Sequence, residues 1–261
     1  YLLTAQEEPA SFRTVLAEVD ERIAAQGASY ARQLAVADAS DLQAFLDANG
    51  GRAVVKTPRG GYDGKGVRVV SSPEDVADWF GDGPLLAEEL VDFTRELSAI
   101  VVRSPSGQGV AYPISETIQR DGICVETITP APRMSETRQA EIQAMALDIA
   151  GRLGVVGVLA VELMERADGS VVVNELAMRP HNTGHWTIDG AATSQFENHM
   201  RAVLNLPLGS PALTAPVVLG REWGTGIQGL ERYSQDRRAV GCVGAPGRSW
   251  QPLSADQACR Q

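Results

Sequence analysis

The chain has 261 residues, 44% of them hydrophobic and 21% charged, the balance of a soluble globule with one large core or two modest domains. A formal net charge of −10 repels phosphate backbones and anionic membrane surfaces, so neither nucleic acid nor membrane is an expected partner, and an anionic substrate needs local cationic groups. Cys124, Cys242 and Cys259 cannot all pair and show no metal-ligand spacing, the first residues YLLTAQEEPA carry acids where a signal peptide carries lysines, and no apolar run approaches a membrane span. These features point to the cytoplasm, a reducing compartment.

Two short helices are expected before Asn49. Val15, Val19 and Ile23 recur every four residues, and Leu42, Phe45 and Leu46 recur behind Ser40, a candidate N-cap. From Ala53 to Val70 the pattern becomes that of strands around a glycine-rich centre, and LLAEEL, ELSAIVV and GVAYPIS continue as strands of an antiparallel sheet. A helix follows from Ser135, with Ile142, Met145, Ile149 and Leu153 on one stripe and Gly154 placed to end it. VVGVLAVELM and SVVVNELAM flank the turn ADGS and form a hairpin. A last helix starts at Ser194, where Glu197 completes a capping box, and Pro207 lies beyond its end. There is no internal repeat, and the tail from about Gly220 has no sustained period.

The segment RAVVKTPRGGYDGKGVRVV sets Lys56 at a strand end, before Gly60, Gly61, Gly64 and Gly66. Such glycines let consecutive backbone N–H groups converge on an anion, and Lys56 adds a point charge for phosphate oxygens. The alternative is a hairpin whose Asp63-Gly64 pair merely turns the chain. Four glycines together with Arg59, Tyr62, Asp63 and Lys65 favour a lid over a reacting group. The pattern is not that of a G-x-x-x-x-G-K-[ST] phosphate loop.

If Asp168 and Gly169 are the central turn residues of the hairpin, Ala167 faces Ser170, Leu163 faces Asn174, and Glu162 faces Glu175. Like charges so placed destabilise by up to about 1 kcal/mol, more where buried, and a divalent cation would compensate them. Magnesium favours carboxylates together with phosphate oxygens. A solvated sheet face, or pairing with arginines, is the other reading of the same two glutamates. Directly after this strand, MRPHNTGHW crowds Arg179, His181, Asn182, Thr183 and His185 into a loop at a sheet end, a place for contacts to an anionic substrate. His185 reads equally as a structural residue of that loop, and zinc is disfavoured because no third ligand is nearby.

Together RGGYDGKG, AEELVDFTREL, VGVLAVELM and NELAMRPHNTGHWT resemble the 5-(carboxyamino)imidazole ribonucleotide synthase family over roughly residues 30–218. The resemblance implies an α+β fold of the ATP-grasp type, in which two subdomains with antiparallel sheets clamp ATP. It implies that Lys56 contacts ATP phosphates and that Gly61, Tyr62, Asp63, Gly64, Lys65, Gly66 and Val67 form the lid. Glu88, Glu89, Leu90 and Val91 become a hinge strand that reads adenine through its backbone, Glu96 accepts from the ribose hydroxyls, and Gln119 is a further ATP-site position. Glu162 and Glu175, with Asn174, match the metal site for Mg²⁺ or Mn²⁺.

The implied catalytic set around the substrate is Tyr62, Asp63, Lys65, Arg179, His181, Asn182 and Thr183. The implied reaction joins bicarbonate to 5-aminoimidazole ribonucleotide with conversion of ATP to ADP and phosphate, in purine biosynthesis, and the family implies a homodimer. Two features depart from that family. Its members begin with a Rossmann-like domain, so residues 1–30 are expected to be a remnant of that domain or its linker, before an ATP-grasp domain at 31–218. Motifs of the form H-x-Y-x-K and R-P-G-R-K-x-G-H are missing from 219–261, which is expected to be a divergent, unfolded tail. Another ATP-grasp ligase, or a nucleotide-binding chain without catalysis, are the competing readings.

Overall fold

In the computed structural model, residues 29–57, 66–81, 83–120, 122–220, 240–243 and 252–253 are described. The smaller of two sheets comes from β2 (Gln33–Val36), β3 (Ala53–Lys56), β4 (Val67–Val70) and β5 (Leu85–Glu89), in the order β2-β5-β3-β4 with every pair antiparallel. Helix α1 (Ala39–Ala48) lays Leu42, Phe45 and Leu46 on Val36, Ala53, Val55, Val70, Leu85 and Ala87. Its N-cap is Asp38 and not Ser40: one carboxylate oxygen of Asp38 accepts from the N–H groups of both Ser40 and Asp41, at 2.8 and 3.0 Å. One carboxylate thus satisfies two of the orphan donors of the first turn, and Ser40 is already helical. The earlier helix expected on Val15, Val19 and Ile23 lies outside the described residues.

The larger sheet holds ten strands among the described residues. They are β1 (Ser29–Tyr30), β6 (Arg95–Arg103), β7 (Gly109–Ala111), β8 (Ser115–Arg120), β9 (Ile123–Thr129), β10 (Gly157–Glu165), β11 (Val171–Ala177), β12 (Val217–Gly220), β13 (Val240–Val243) and β14 (Pro252–Leu253). Their order is β1-β11-β10-β6-β8-β9-β12-β13-β14, with β7 on β6. The run GVAYPIS, expected as one strand, is divided between β7 and β8. Pro113 lies in the gap and has no N–H to give a ladder.

Helix α2 (Glu136–Arg152) covers one face of this sheet. Its buried seam, Ile142, Ala146, Ile149 and Ala150, meets Leu97, Ala99, Val101, Leu159, Val161, Val173 and Leu176, while Met145 and Leu153 are only partly buried at its margin. Gly154 follows the last turn with φ +65°, and the N–H of Val155 reaches back to the Ala150 carbonyl at 2.9 Å, a six-residue closure that uses up an orphan carbonyl.

Side chains alternate along β6, so Ile100 and Val102 point away from α2. There they pack with Val158, Ala160, Ala177, Trp186 and Ala202, the last from α4 (Gln195–Val203), which follows the single-turn α3 (Thr187–Gly190). Ser194 caps α4 by accepting from the Glu197 N–H at 3.1 Å, but the Glu197 carboxylate pairs with Arg201 one turn on, so only half of the expected capping box forms. No helix among the described residues is long and apolar enough to cross a membrane.

Candidate active site

The β10–β11 hairpin places the two glutamates. Its turn is a residue longer than expected: Arg166 pairs with Ser170, and Ala167, Asp168 and Gly169 form the loop, with Gly169 at φ +82° where a side chain would be strained. Glu165 accordingly faces Val171, Met164 faces Val172, and Leu163 faces Val173 rather than Asn174. The register then shifts between Leu163 and Glu162, leaving Asn174 as an extra residue, and Glu162 faces Glu175 as expected. The longer turn and the bulge cancel. A bulge also re-aims the residue that it leaves unpaired, and Asn174 extends its side chain to Lys56 of the small sheet.

Glu162 also faces Ser98 on β6, and alternation puts Glu96 on that same face, away from α2. Burial, then the charges of Glu175 and Glu96, push the Glu162 carboxyl up to about 7, against smaller opposing effects of Lys56 and Arg179. Burial alone pushes Glu96 up to about 7. No lysine or arginine forms an ion pair with either among the described residues, and no group of three metal-ligating side chains occurs there. Two opposed carboxylates with no ion-paired lysine or arginine among the described residues suit an ion that keeps most of its ligands from water and phosphate, as Mg²⁺ does, and not a metal held in an all-protein cage.

Across from them, Lys56 Nζ lies 2.6 Å from Glu88 Oε2 and donates to Asn174 Oδ1 at 3.3 Å. Both partners of the ion pair are nearly buried, and burial outweighs the attraction of Lys56 to raise the Glu88 pKa. The side chain of Glu88, expected to act through its backbone alone, is therefore committed to Lys56. The expected hinge strand ends at Glu89, whose carboxylate bridges Arg32 at 2.7 Å and Arg166 at 2.9 Å; Leu90 and Val91 lie in the connection to β6, the first exposed and the second buried.

Gly66, at φ +72°, closes the glycine loop through its carbonyl on the Thr57 N–H, and Val67 faces Lys56 across the ladder. Gly61, Tyr62, Asp63, Gly64 and Lys65 lie outside the described residues. Gln119 is half-buried on β8 beside a bulge, two residues beyond Thr117, which faces Glu96.

The loop after β11 completes the arrangement. His181 is buried, and its Nε2 lies 3.6 Å from Glu162 Oε1, too long for a hydrogen bond. Burial, with Arg179 and His185 nearby, lowers the His181 pKa to about 4, so near neutral pH this contact is between a neutral imidazole and a carboxyl group, not an ion pair. His181 Nδ1 shares a hydrogen bond with Thr183 Oγ1 at 2.9 Å, and Thr183 Oγ1 shares another with Ser98 Oγ at 2.7 Å. Asn182 turns its carbonyl oxygen onto the Thr183 N–H, Arg179 is exposed, and His185 stacks on Phe196 at 5.9 Å.

The structure therefore brings Glu162, Glu175, Glu96 and Asn174 of the large sheet, with His181 and Thr183 of the loop after β11, to a site that Lys56 and Glu88 of the small sheet face. Sequence reasoning missed Ser98 and the side-chain part of Glu88. A serine inside the apolar run ELSAIVV was the one visible signal for the first.

Two sheets meet around a lysine and paired carboxylates, and the ATP-grasp domain model matches residues 21–196. The chain belongs to the ATP-grasp family. It is similar to N5-carboxyaminoimidazole ribonucleotide synthase from Mycobacterium tuberculosis, 51% identical over 204 residues that make up 76% of this chain and 48% of that protein. Among solved structures it resembles an ADP complex of N5-carboxyaminoimidazole ribonucleotide synthetase, with TM-score 0.73, 35% identity and coverage of 93% and 63% of the two chains. It also resembles the Aspergillus clavatus synthase in complex with ADP and 5-aminoimidazole ribonucleotide, with TM-score 0.69, 30% identity and coverage of 78% and 54%. The chain spans about half the length of the curated relatives that it matches.

Proposed function

We propose that this chain carries the catalytic centre of a cytoplasmic 5-(carboxyamino)imidazole ribonucleotide synthase. It binds ATP with Mg²⁺, or Mn²⁺, and carboxylates 5-aminoimidazole ribonucleotide with bicarbonate, giving ADP and phosphate in purine biosynthesis. The observation that carries this reading is the opposition of Glu162 and Glu175 beside the polar loop, with Lys56 of the small sheet reaching Asn174 and no lysine or arginine in ion-pair contact with Glu162 among the described residues. The complex of the Aspergillus clavatus relative with ADP and 5-aminoimidazole ribonucleotide supports the choice of substrate.

Bicarbonate is a poor electrophile. One of its oxygens attacks the γ-phosphorus, ADP leaves, and carboxyphosphate forms; the exocyclic amine then attacks the carboxyl carbon, phosphate departs, and the amine loses a proton. Glu162 and Glu175 would hold the cation, which when bound screens charge on the phosphates. Lys56, already pointed into the site by Glu88 and Asn174, supplies a fixed positive charge for the transferring phosphoryl group. Gly61, Tyr62, Asp63, Gly64, Lys65, Gly66 and Val67 cover the nucleotide as a lid. Glu88, Glu89, Leu90 and Val91 present backbone to the adenine, and Glu96 and Gln119 complete the nucleotide site. Tyr62, Asp63, Lys65, Arg179, His181, Asn182 and Thr183 surround the ribonucleotide, with Asp63 as hydrogen-bond acceptor or base for the attacking amine. The homodimer belongs to the same reading.

The test is ADP release measured with and without bicarbonate and with and without 5-aminoimidazole ribonucleotide. Turnover that needs both supports the synthase. Turnover with another acceptor means a different ATP-grasp ligase, and MgATP binding without turnover means a nucleotide-binding chain.

A further inference from the structure

Gln195 has no role so far beyond being the first residue of α4. Its side chain is fully buried, and both ends of its carboxamide are used on the backbone of a single residue. Oε1 accepts from the His181 N–H at 3.0 Å and Nε2 donates to the His181 carbonyl at 2.6 Å, as a neighbouring strand would. Its own N–H donates to Thr187 Oγ1 at 2.9 Å, and that hydroxyl donates to the Gly184 carbonyl at 2.7 Å. The fit leaves no slack: a Cβ on Gly184 would stand 2.8 Å from the Gln195 carboxamide and 2.3 Å from Ile100 Cδ1.

The helix that carries Gln195 is itself tied to the sheet. One turn on, His199 Nδ1 accepts from the Val158 N–H at 3.1 Å, and β10, which holds Val158, also holds Glu162. Asn198 donates to the Tyr112 hydroxyl and to the Gly209 carbonyl, at 2.8 and 3.1 Å. A buried carboxamide with both ends satisfied by one backbone fixes position more than it adds stability, because each net hydrogen bond is worth only about 1 kcal/mol while a misplaced reacting group costs far more in rate.

We infer that Gln195 is a positioning residue that clamps the backbone of His181 and so holds its imidazole against Glu162 and the ribonucleotide side of the site. The substrate part of this inference rests on the function proposed above; the clamp itself does not.

The experiment compares the wild-type chain with Gln195→Met, which keeps the length and apolar bulk but offers neither hydrogen bond. Amide exchange at His181 and calorimetric binding of MgATP and of 5-aminoimidazole ribonucleotide are the readouts. The variant is expected to speed His181 exchange by about tenfold or more and to weaken ribonucleotide binding by about tenfold, with MgATP affinity within about twofold of wild type.

Thr187→Val, isosteric and one step further from His181, is expected to shift both in the same direction by less, and it decides the matter if Gln195→Met does not fold. Unchanged exchange overturns the clamp. Ribonucleotide and MgATP affinities that fall together overturn the positioning role, as does faster exchange with undiminished ribonucleotide binding. A wild-type chain that binds no ribonucleotide would refute the proposed substrate, and the exchange rates would then decide the clamp alone.

Discussion

The two faces of strands β6 and β10 carry buried carboxylates in opposite circumstances. On the α2 face, the Arg95 guanidinium contacts Glu165 through Nε, lies 3.4 Å from Glu116 through Nη1, and donates to the Pro132 carbonyl at 2.6 Å. On the other face, Glu162, Glu175 and Glu96 gather with no arginine or lysine in ion-pair contact among the described residues: Lys56 is held by Glu88, and Arg179 acts on Glu162 only as a smaller opposing charge. One face closes its charge internally because its work is to hold strands together. The other leaves its charge open, at a cost in stability, and in the function proposed above a cation that arrives with the nucleotide would neutralise it.

Breaking the closed face has the largest expected effect. Arg95→Leu strands two buried carboxylates, and we expect unfolding free energy measured by urea titration to fall by about 3–5 kcal/mol. The pH dependence of the open face comes next. Glu162 and Glu96 have folded pKa values of about 7 against an ordinary 4.5, so the folded chain binds more protons than the unfolded chain between these limits. These two carboxyls therefore lower the stability of the metal-free protein as pH rises from about 4.5 through about 7, while His181, lowered to about 4, opposes them up to about 6.5 with one group against two; the net decrease is read by thermal unfolding across that range.

Glu162→Gln removes one of these charges. It is expected to flatten that profile and to raise metal-free stability at pH 8 by about 1 kcal/mol, the reverse in sign of Arg95→Leu. The smallest effect belongs to a carboxylate on neither face. Glu197 pairs with Arg201 on the exposed side of α4, and Arg201→Ala should cost no more than about 0.5 kcal/mol.

Local pattern carried much of the fold. The helical stripe behind Ser135, the strands around Lys56 and the glutamate hairpin all follow from periods and caps that lie within a few residues of one another. The opposition of Glu162 and Glu175 was legible too, but through compensation: the turn has an extra residue and the bulge at Asn174 restores the count. No local rule reveals that bulge, whose extra residue, Asn174, accepts from Lys56, 118 residues away in the chain. Gln195 on His181 and Ser98 on Thr183 stayed hidden for the same reason, since a side chain that serves a distant backbone or hydroxyl leaves no period in the sequence. The Asp38 cap was misread by two residues because an aspartate and a serine compete for the same donors.

The open face is tested most directly by calorimetric binding of ATP with and without Mg²⁺ to the wild-type chain and to Glu162→Gln and Glu175→Gln. Each substitution should weaken Mg²⁺-dependent ATP binding by about tenfold or more and leave metal-free ATP binding unchanged. Equal Mg²⁺-dependent affinities in all three proteins would show that these carboxylates hold no cation, and the account of this site would be wrong.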